Sequence, residues 1–262
     1  MWQPERINNG FREELLFELP EEKKAAGSVL WNPWHGCRKY SAGCANCYVY
    51  RIDRSHGKDA SLVNKTKSFS LPLEKKRGGH YRIPYGSFVY TCFSSDFFLD
   101  LTDEWRPQVW EMMRLRADLR FFIITKRISR ASSCLPVFWH EIKERVDIAC
   151  TIENQKEADS RLDIYRNFPV CRHTIICEPL VGPVVFSSLE GIDKVSVGGE
   201  SGPDGRLCSF SWVLSLRRQC QESGVSFFFK QTGTNFEKEG KVYHIPRALQ
   251  QPQALKAGIN LP

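Results

Sequence analysis

From residue 87 onward, short apolar runs alternate with segments of helical periodicity, a pattern typical of parallel strands joined by helices. The apolar runs predict strands at 88–93, 120–125, 146–151, 172–177, 194–197 and 225–229. The segments between them predict helices at 104–117, 136–145, 155–167 and 211–223. An earlier apolar run at 28–34 predicts a first strand.

Nearly continuous apolar strands indicate a parallel α/β sheet that is covered by helices. About seven strands suit a full or partial (β/α) barrel of the TIM type, with a doubly wound sheet as the alternative. We expect an N-terminal extension over 1–28, one barrel domain over 29–235 and a C-terminal tail over 236–262. A basic insertion, rich in Lys, Arg, Gly and Pro, occupies residues 55–87.

Polar and ionisable residues follow the predicted strands at the point where each strand ends. They are Ser94, Ser95, Asp96, Lys126, Arg127, Glu153, Asn154, Glu178, Glu200, Lys230 and Gln231. In a barrel the carboxyl ends of the strands converge on one face, where active sites are built. The simpler explanation is that strands end where the chain meets water, so that polar residues follow them. However, all six of these strand ends carry an ionisable residue (Asp, Lys, Glu, Glu, Glu and Lys in chain order), which favours a polar site.

Three cysteines form the only cluster among the ten in the chain: Cys37, Cys44 and Cys47, with C-x6-C-x2-C spacing directly after the first predicted strand. Iron–sulfur clusters are held by cysteine thiolates, usually four. Three thiolates leave one iron open, and the amino and carboxylate groups of S-adenosylmethionine can chelate an open iron. The spacing therefore indicates a [4Fe–4S] cluster that uses S-adenosylmethionine for radical chemistry.

Two other interpretations of the cysteines stay open. His35 could complete a structural Cys₃His zinc site with the three cysteines. Alternatively, the three are buried or incidental, as the cysteines inside the apolar runs usually are.

Composition limits the function only loosely. The 262 residues are 42% apolar and 26% charged, with a net charge of +7. The positive balance is compatible with a nucleic-acid partner, for which the basic stretch 75–82 and the C-terminal run 241–256 offer phosphate contacts. The absence of a long apolar run and of a signal peptide predicts no membrane association and a cytoplasmic location.

Six ordered motifs between residues 29 and 235 resemble a family that occurs in phages and bacteria, the radical-SAM-like "three-cysteine-motif" proteins of unassigned function. The motifs are WNPWHGCRKYSAGCANCY, TKR at 125–127, ENQ at 153–155, CEPLVGP at 177–183, GGESGPDGR at 198–206 and FFFKQTG at 227–233. The resemblance implies a barrel-type fold with cluster ligands at Cys37, Cys44 and Cys47. The resemblance supplies no substrate. The radical reaction would need an electron donor such as flavodoxin or ferredoxin.

Roles for the strand-end residues follow from the same resemblance. Residues 94–96 would contact the methionyl amine, Lys126 or Arg127 the methionyl carboxylate, and Glu153 and Asn154 the ribose hydroxyls or the carboxylate. The residues expected to face the substrate are Glu178, Glu200, Lys230 and Gln231. The alternatives are structural: Glu178 pairs with Lys230, and Lys126 caps a helix.

The leading hypothesis is thus a radical S-adenosylmethionine enzyme, with nucleic-acid modification or repair as one option for its reaction. A zinc-stabilised nucleic-acid-binding protein without catalysis is the second hypothesis. An electron-transfer protein is the third, and it would need a fourth cysteine ligand.

Overall fold

Parallel strands dominate the fold, and the computed structural model describes residues 27–262. In chain order the strands are β1 (Ser28–Trp31), β2 (Trp34–His35), β3 (Asn64–Lys65), β4 (Phe88–Thr91), β5 (Arg120–Thr125), β6 (Val146–Thr151), β7 (Thr174–Cys177), β8 (Lys194–Gly198), β9 (Leu207–Ser209), β10 (Ser226–Gln231), β11 (Asn235–Lys238) and β12 (Lys241–His244). The helices are α1 (Tyr48–Ser55), α2 (Arg106–Leu115), α3 (Ile128–Ala131), α4 (Trp139–Ile142), α5 (Gln155–Arg166), α6 (Phe210–Ser223) and α7 (Arg247–Lys256). Over these residues no helix has the length and apolar character needed to cross a bilayer.

The main sheet contains seven strands in the order β1-β4-β5-β6-β7-β8-β10, and all its pairings are parallel. The order follows the chain without a reversal. A doubly wound sheet has a point at which the strand order reverses. The alternative of a doubly wound sheet is therefore wrong, and the chain winds in one direction only.

The two faces of this sheet differ, because successive side chains of a strand point to opposite faces. One face, which includes Phe121 and Ile123 of β5, shares a single large core with apolar residues of α2, α5 and α6. The other face carries a small separate cluster of Phe88, Phe122, Ala149 and Ile176, to which none of the described helices contributes. The helices therefore pack on one side of the sheet, as in a singly wound β/α arrangement.

The strand predictions agree with the structure most closely at β5 and β6, whose bounds are reproduced. The strand predicted at 88–93 ends earlier, at Thr91, because Cys92 adopts a left-handed backbone with φ 65°. The run at 28–34 divides into β1 and β2. The helix predicted at 136–145 contains only one short α-helical turn, α4.

The edges of the main sheet are β1 and β10, and no pairing among the described residues joins them into a closed barrel. On the outer side of β10, Leu261 exchanges backbone hydrogen bonds with Phe227, and the side-chain oxygen of Asn260 accepts a hydrogen bond from the amide of Phe229 at 2.8 Å. The region predicted as a C-terminal tail thus contains β12 and α7 and covers a sheet edge. The predicted N-terminal extension lies outside the described residues except for its last two.

Candidate functional site

The cysteine loop, residues 36–47, leaves the carboxyl end of β1 through β2, which pairs with β3. The amide of Cys37 donates to the carbonyl of Ala60 at 2.7 Å. Gly36 has φ 93°, and a Cβ there would collide with the carbonyl oxygen of Leu62. Only glycine accommodates both the backbone angle and the close approach. The loop is therefore held tightly against residues 60–62.

The three cysteines occupy different positions in this loop. Cys44 is buried in a short 3₁₀ turn, whereas Cys37 and Cys47 are half-buried, and Cys47 directly precedes α1. The thiols of Cys37 and Cys47 each interact electrostatically with that of Cys44. Burial, reinforced by Asp96, raises the pKa of Cys37 to about 11, and burial also raises the pKa of Cys47. Without a metal, the thiols of Cys37 and Cys47 therefore carry their protons at neutral pH.

The donor set fits an iron–sulfur cluster in its chemistry, because three thiols lie in one anchored loop and interact with one another. Among residues 27–262, however, no three His, Cys, Asp or Glu side chains lie close enough together to bind one shared metal ion. His35 does not join the cysteines. Its Nε2 pairs with the carboxylate of Asp53 at 2.7 Å.

Ser94, Ser95 and Asp96, which follow β4, bind the protein itself. The hydroxyls of Ser94 and Ser95 donate to the carbonyls of Trp34 and Gly36. The Asp96 carboxylate accepts hydrogen bonds from the amides of Phe98 and Lys126 and from the Thr125 hydroxyl, at 2.8–2.9 Å. These three residues thus fasten the cysteine loop and the end of β5 to the end of β4.

Glu153, which follows β6, is fully buried at the centre of a charged network. It accepts from Lys126, from Arg161 at 3.0 Å and from the hydroxyl of Ser41 in the cysteine loop at 3.2 Å. Burial alone would raise the pKa of Glu153, but Lys126 and Arg161 outweigh it, so the pKa is lowered. The network thus connects two strand ends and α5 to the cysteine loop.

Arg127 and Asn154 also have structural partners. Arg127 donates to the carbonyl of Arg38 at 2.7 Å and pairs with Asp96 at 3.3 Å, and its guanidinium stacks on Tyr40. The Asn154 side chain caps α5 by accepting from the amide of Glu157 at 3.1 Å. A polar side chain directly before a helix commonly has this capping role.

Glu200 holds the opposite side of the cysteine loop. Its carboxylate accepts two hydrogen bonds from the Arg206 guanidinium at 2.8 Å each and one from Asn46 at 3.0 Å. Arg206 also donates to the carbonyl of Ala42 at 2.8 Å. Burial would raise the pKa of Glu200, but the hydrogen bonds from Arg206 and Asn46 lower it.

A second group at the same edge joins Glu178, Lys230 and Gln231. Lys230 donates to Glu178 at 2.8 Å and Gln231 donates to the other oxygen at 2.5 Å. Gln231 in turn accepts from Arg247 of α7. Glu178 and Lys230 each keep about a fifth of their side chains exposed, at 19% and 22%. The ion pair that was the structural alternative is therefore present, and it is open to solvent in part.

The structure thus places one residue from each of four strand ends against the cysteine loop: Ser95, Arg127, Glu153 and Glu200. Sequence reasoning missed four residues of this site: Arg161, Arg206, Asn46 and Cys92. Cys92 is buried at the end of β4, and its thiol interacts electrostatically with that of Cys37. Its place at the end of an apolar run was the one signal that could have identified it.

Gly43 provides a test of how tightly the loop is seated on Glu153. A Cβ at this position would lie 2.6 Å from the Glu153 Oε1, a carboxylate held by two cations. We expect Gly43→Ala to lower the free energy of unfolding by about 1–3 kcal/mol, since overpacking forces the neighbours apart. Gly78→Ala is the control, because its nearest atom is 3.7 Å away. Urea denaturation measures both, and equal stability of the two variants would contradict the tight seating.

The family model described as "Protein of unknown function (DUF5131)" matches residues 26–258. No curated protein and no solved structure matches the chain. The comparisons therefore identify a family but no activity.

Proposed function

The chain belongs to the DUF5131 family, and from the geometry of its cysteine loop we propose that it is a radical S-adenosylmethionine enzyme. The observation that carries the proposal is the anchoring of a three-cysteine loop at the carboxyl edge of a singly wound parallel sheet. That edge is where β/α enzymes build their active sites. We propose further that the sheet is a partial barrel of the radical-SAM kind, and its sequential strand order supports this.

Cys37, Cys44 and Cys47 would hold a [4Fe–4S] cluster with one iron left open for S-adenosylmethionine. When both are bound, the cluster supplies the electron that cleaves the sulfonium bond and releases methionine and a 5′-deoxyadenosyl radical. Each cysteine would ligate a different iron of the cluster, so the three thiols need not meet at one metal ion as they would in a zinc site. Loading releases the thiol protons.

The charged residues around the loop would fix its position. Asp96 and Glu153 each bind several protein groups, and both lie beside the loop. Glu200 holds it from the other side through Asn46. These carboxylates are therefore better explained as positioning residues than as direct contacts to S-adenosylmethionine. A rigid support of this kind keeps reacting groups in register.

Glu178 and Lys230 remain the best candidates for contact with the substrate. They lie at the same edge, are partly exposed and belong to strand ends distant from the loop in sequence. An ion pair with a solvent-facing side can donate from the ammonium and accept at the carboxylate when a polar substrate approaches.

Anaerobic purification tests the proposal. We expect the reconstituted protein to bind about four iron and four sulfide ions per chain. With dithionite as reductant, it should convert S-adenosylmethionine to methionine and 5′-deoxyadenosine, measured by chromatography. One zinc ion per chain, with no iron after reconstitution and no cleavage, would instead support the zinc-stabilised nucleic-acid-binding protein.

A further inference from the structure

The basic insertion, residues 55–87, contains most of the net charge of the protein. It has seven Lys and Arg against two Asp and Glu, so it contributes +5 of the total of +7. The other 229 residues are therefore close to neutral. Charge concentrated in one segment produces a local positive potential that an evenly spread charge does not.

The positive side chains of the insertion are exposed and largely without acidic partners. Arg82 pairs with Glu74 at 2.6 Å. Across residues 27–262, the other six have no ion pair within 4.0 Å: Lys58, Lys65, Lys67, Lys75, Lys76 and Arg77. Exposed positive charge that the protein does not neutralise is the electrostatic footprint of a polyanion-binding surface.

A small hairpin presents part of this charge on an ordered support. The amide of Lys76 donates to the carbonyl of His80 at 2.8 Å, and Lys75 pairs with Tyr81 in an antiparallel bridge. The ring of Tyr81 contacts Lys75 and, at 4.0 Å, the guanidinium of the buried Arg116. The turn that carries Lys76 and Arg77 is therefore fixed to the body of the protein.

Tyr85 adds an aromatic surface beside this hairpin. Its side chain is 81% exposed, although a tyrosine normally buries much of its ring. Exposed aromatic rings next to positive charge are the combination by which proteins bind single-stranded nucleic acid, since unpaired bases stack on the ring while cations contact the phosphates. Paired bases in a duplex present no free face for such stacking.

The insertion extends from this hairpin to the cysteine loop. The hairpin lies near the amino ends of the strands, where Arg116 donates to the carbonyl of Ile83 at 3.0 Å. At the other end of the insertion, Ala60 accepts from Cys37, and Lys65 pairs with Trp34 of β2. A single-stranded nucleic acid bound along the insertion would therefore approach the edge of the sheet that carries the cysteines.

We propose that the basic insertion binds single-stranded nucleic acid, with phosphates at Lys76 and Arg77 and an unpaired base on Tyr85. If the nucleic acid is the substrate of the enzyme, this inference rests on the proposed function. The binding of nucleic acid itself requires neither the cluster nor S-adenosylmethionine.

Fluorescence anisotropy with labelled 20-nucleotide probes tests the surface, using the full-length protein. The probes are single-stranded DNA, single-stranded RNA and a duplex of the same length. The variant K76E/R77E should bind the single strands about 10- to 30-fold more weakly at 0.1 M salt, because each lost phosphate contact removes about 0.7 from the logarithmic salt slope. The matched control K156E/R218E changes the net charge equally at exposed positions outside the insertion and should bind as wild type does.

The stacking contact is tested separately with Tyr85→Ala. We expect single-strand affinity to fall about fivefold or more, with circular dichroism spectra unchanged. Comparison of the affinities for the single-stranded DNA and RNA probes shows whether deoxyribose or ribose is preferred. Duplex binding as tight as single-strand binding, or equal losses for K76E/R77E and K156E/R218E, would overturn the proposal. Cleavage of S-adenosylmethionine without oligonucleotide binding defeats this inference alone, and the reverse result defeats the proposed function alone.

Discussion

Replacing Cys44 by alanine is expected to abolish cluster assembly and, with it, reductive cleavage of S-adenosylmethionine. Cys44 is the buried member of the three, and its thiol interacts with the thiols of both others. Two remaining thiolates cannot ligate three irons, so the variant should lose the visible absorption and the bound iron of the reconstituted protein. Iron analysis and chromatography of 5′-deoxyadenosine measure the two losses, and both should reach the background of cluster-free protein.

Cys92→Ala is the matched control for this experiment. Cys92 is a buried cysteine close enough to Cys37 for their thiols to interact, but it lies at the end of β4 rather than in the loop. If the cluster has three protein ligands, Cys92→Ala retains iron and cleavage activity. Loss of the cluster in both variants would mean four cysteine ligands and no open iron, which contradicts the proposed function and favours electron transfer.

The sequence predicted the strands best where long apolar runs determine them. β5 and β6 are buried along most of their length, so their apolar pattern is nearly continuous and their bounds could be predicted. The pairing of β2 with β3 could not, because Asn64 and Lys65 are exposed and pair only through the tertiary position of the insertion. The early end of β4 at Cys92 likewise depends on a local backbone angle that composition does not indicate.

For the site, sequence reasoning placed polar residues at strand ends but not their partners. Arg161 occupies α5, a helix of otherwise ordinary polar composition, yet its side chain is buried against Glu153. Arg206 reaches back to Ala42, 164 residues earlier in the chain. Such contacts depend on how the strand-end loops fold over one another, and no periodicity along the chain reports them.

Replacing Glu153 by alanine is expected to lower the free energy of unfolding by about 3–5 kcal/mol, because its removal takes away the carboxylate that two buried or partly buried cations share. Glu153 is fully buried, and both Lys126 and Arg161 would lose their shared carboxylate. Glu190→Ala is the control, since Glu190 pairs with Arg166 at the surface and is 87% exposed. Exposed pairs contribute about 0–1 kcal/mol. Urea denaturation at neutral pH distinguishes these results.

The pH dependence of the same residue provides a stricter test. The folded pKa of Glu153 lies below the ordinary value of 4.5 because Lys126 and Arg161 outweigh its burial. The ionised carboxylate therefore stabilises the fold fully above about pH 4.5, and this contribution is lost as the pH falls through the lower folded pKa. The stability difference between wild type and Glu153→Gln should shrink on acidification from pH 6 toward pH 3. A difference that stays constant across this range would mean that the carboxylate charge does not hold the network together.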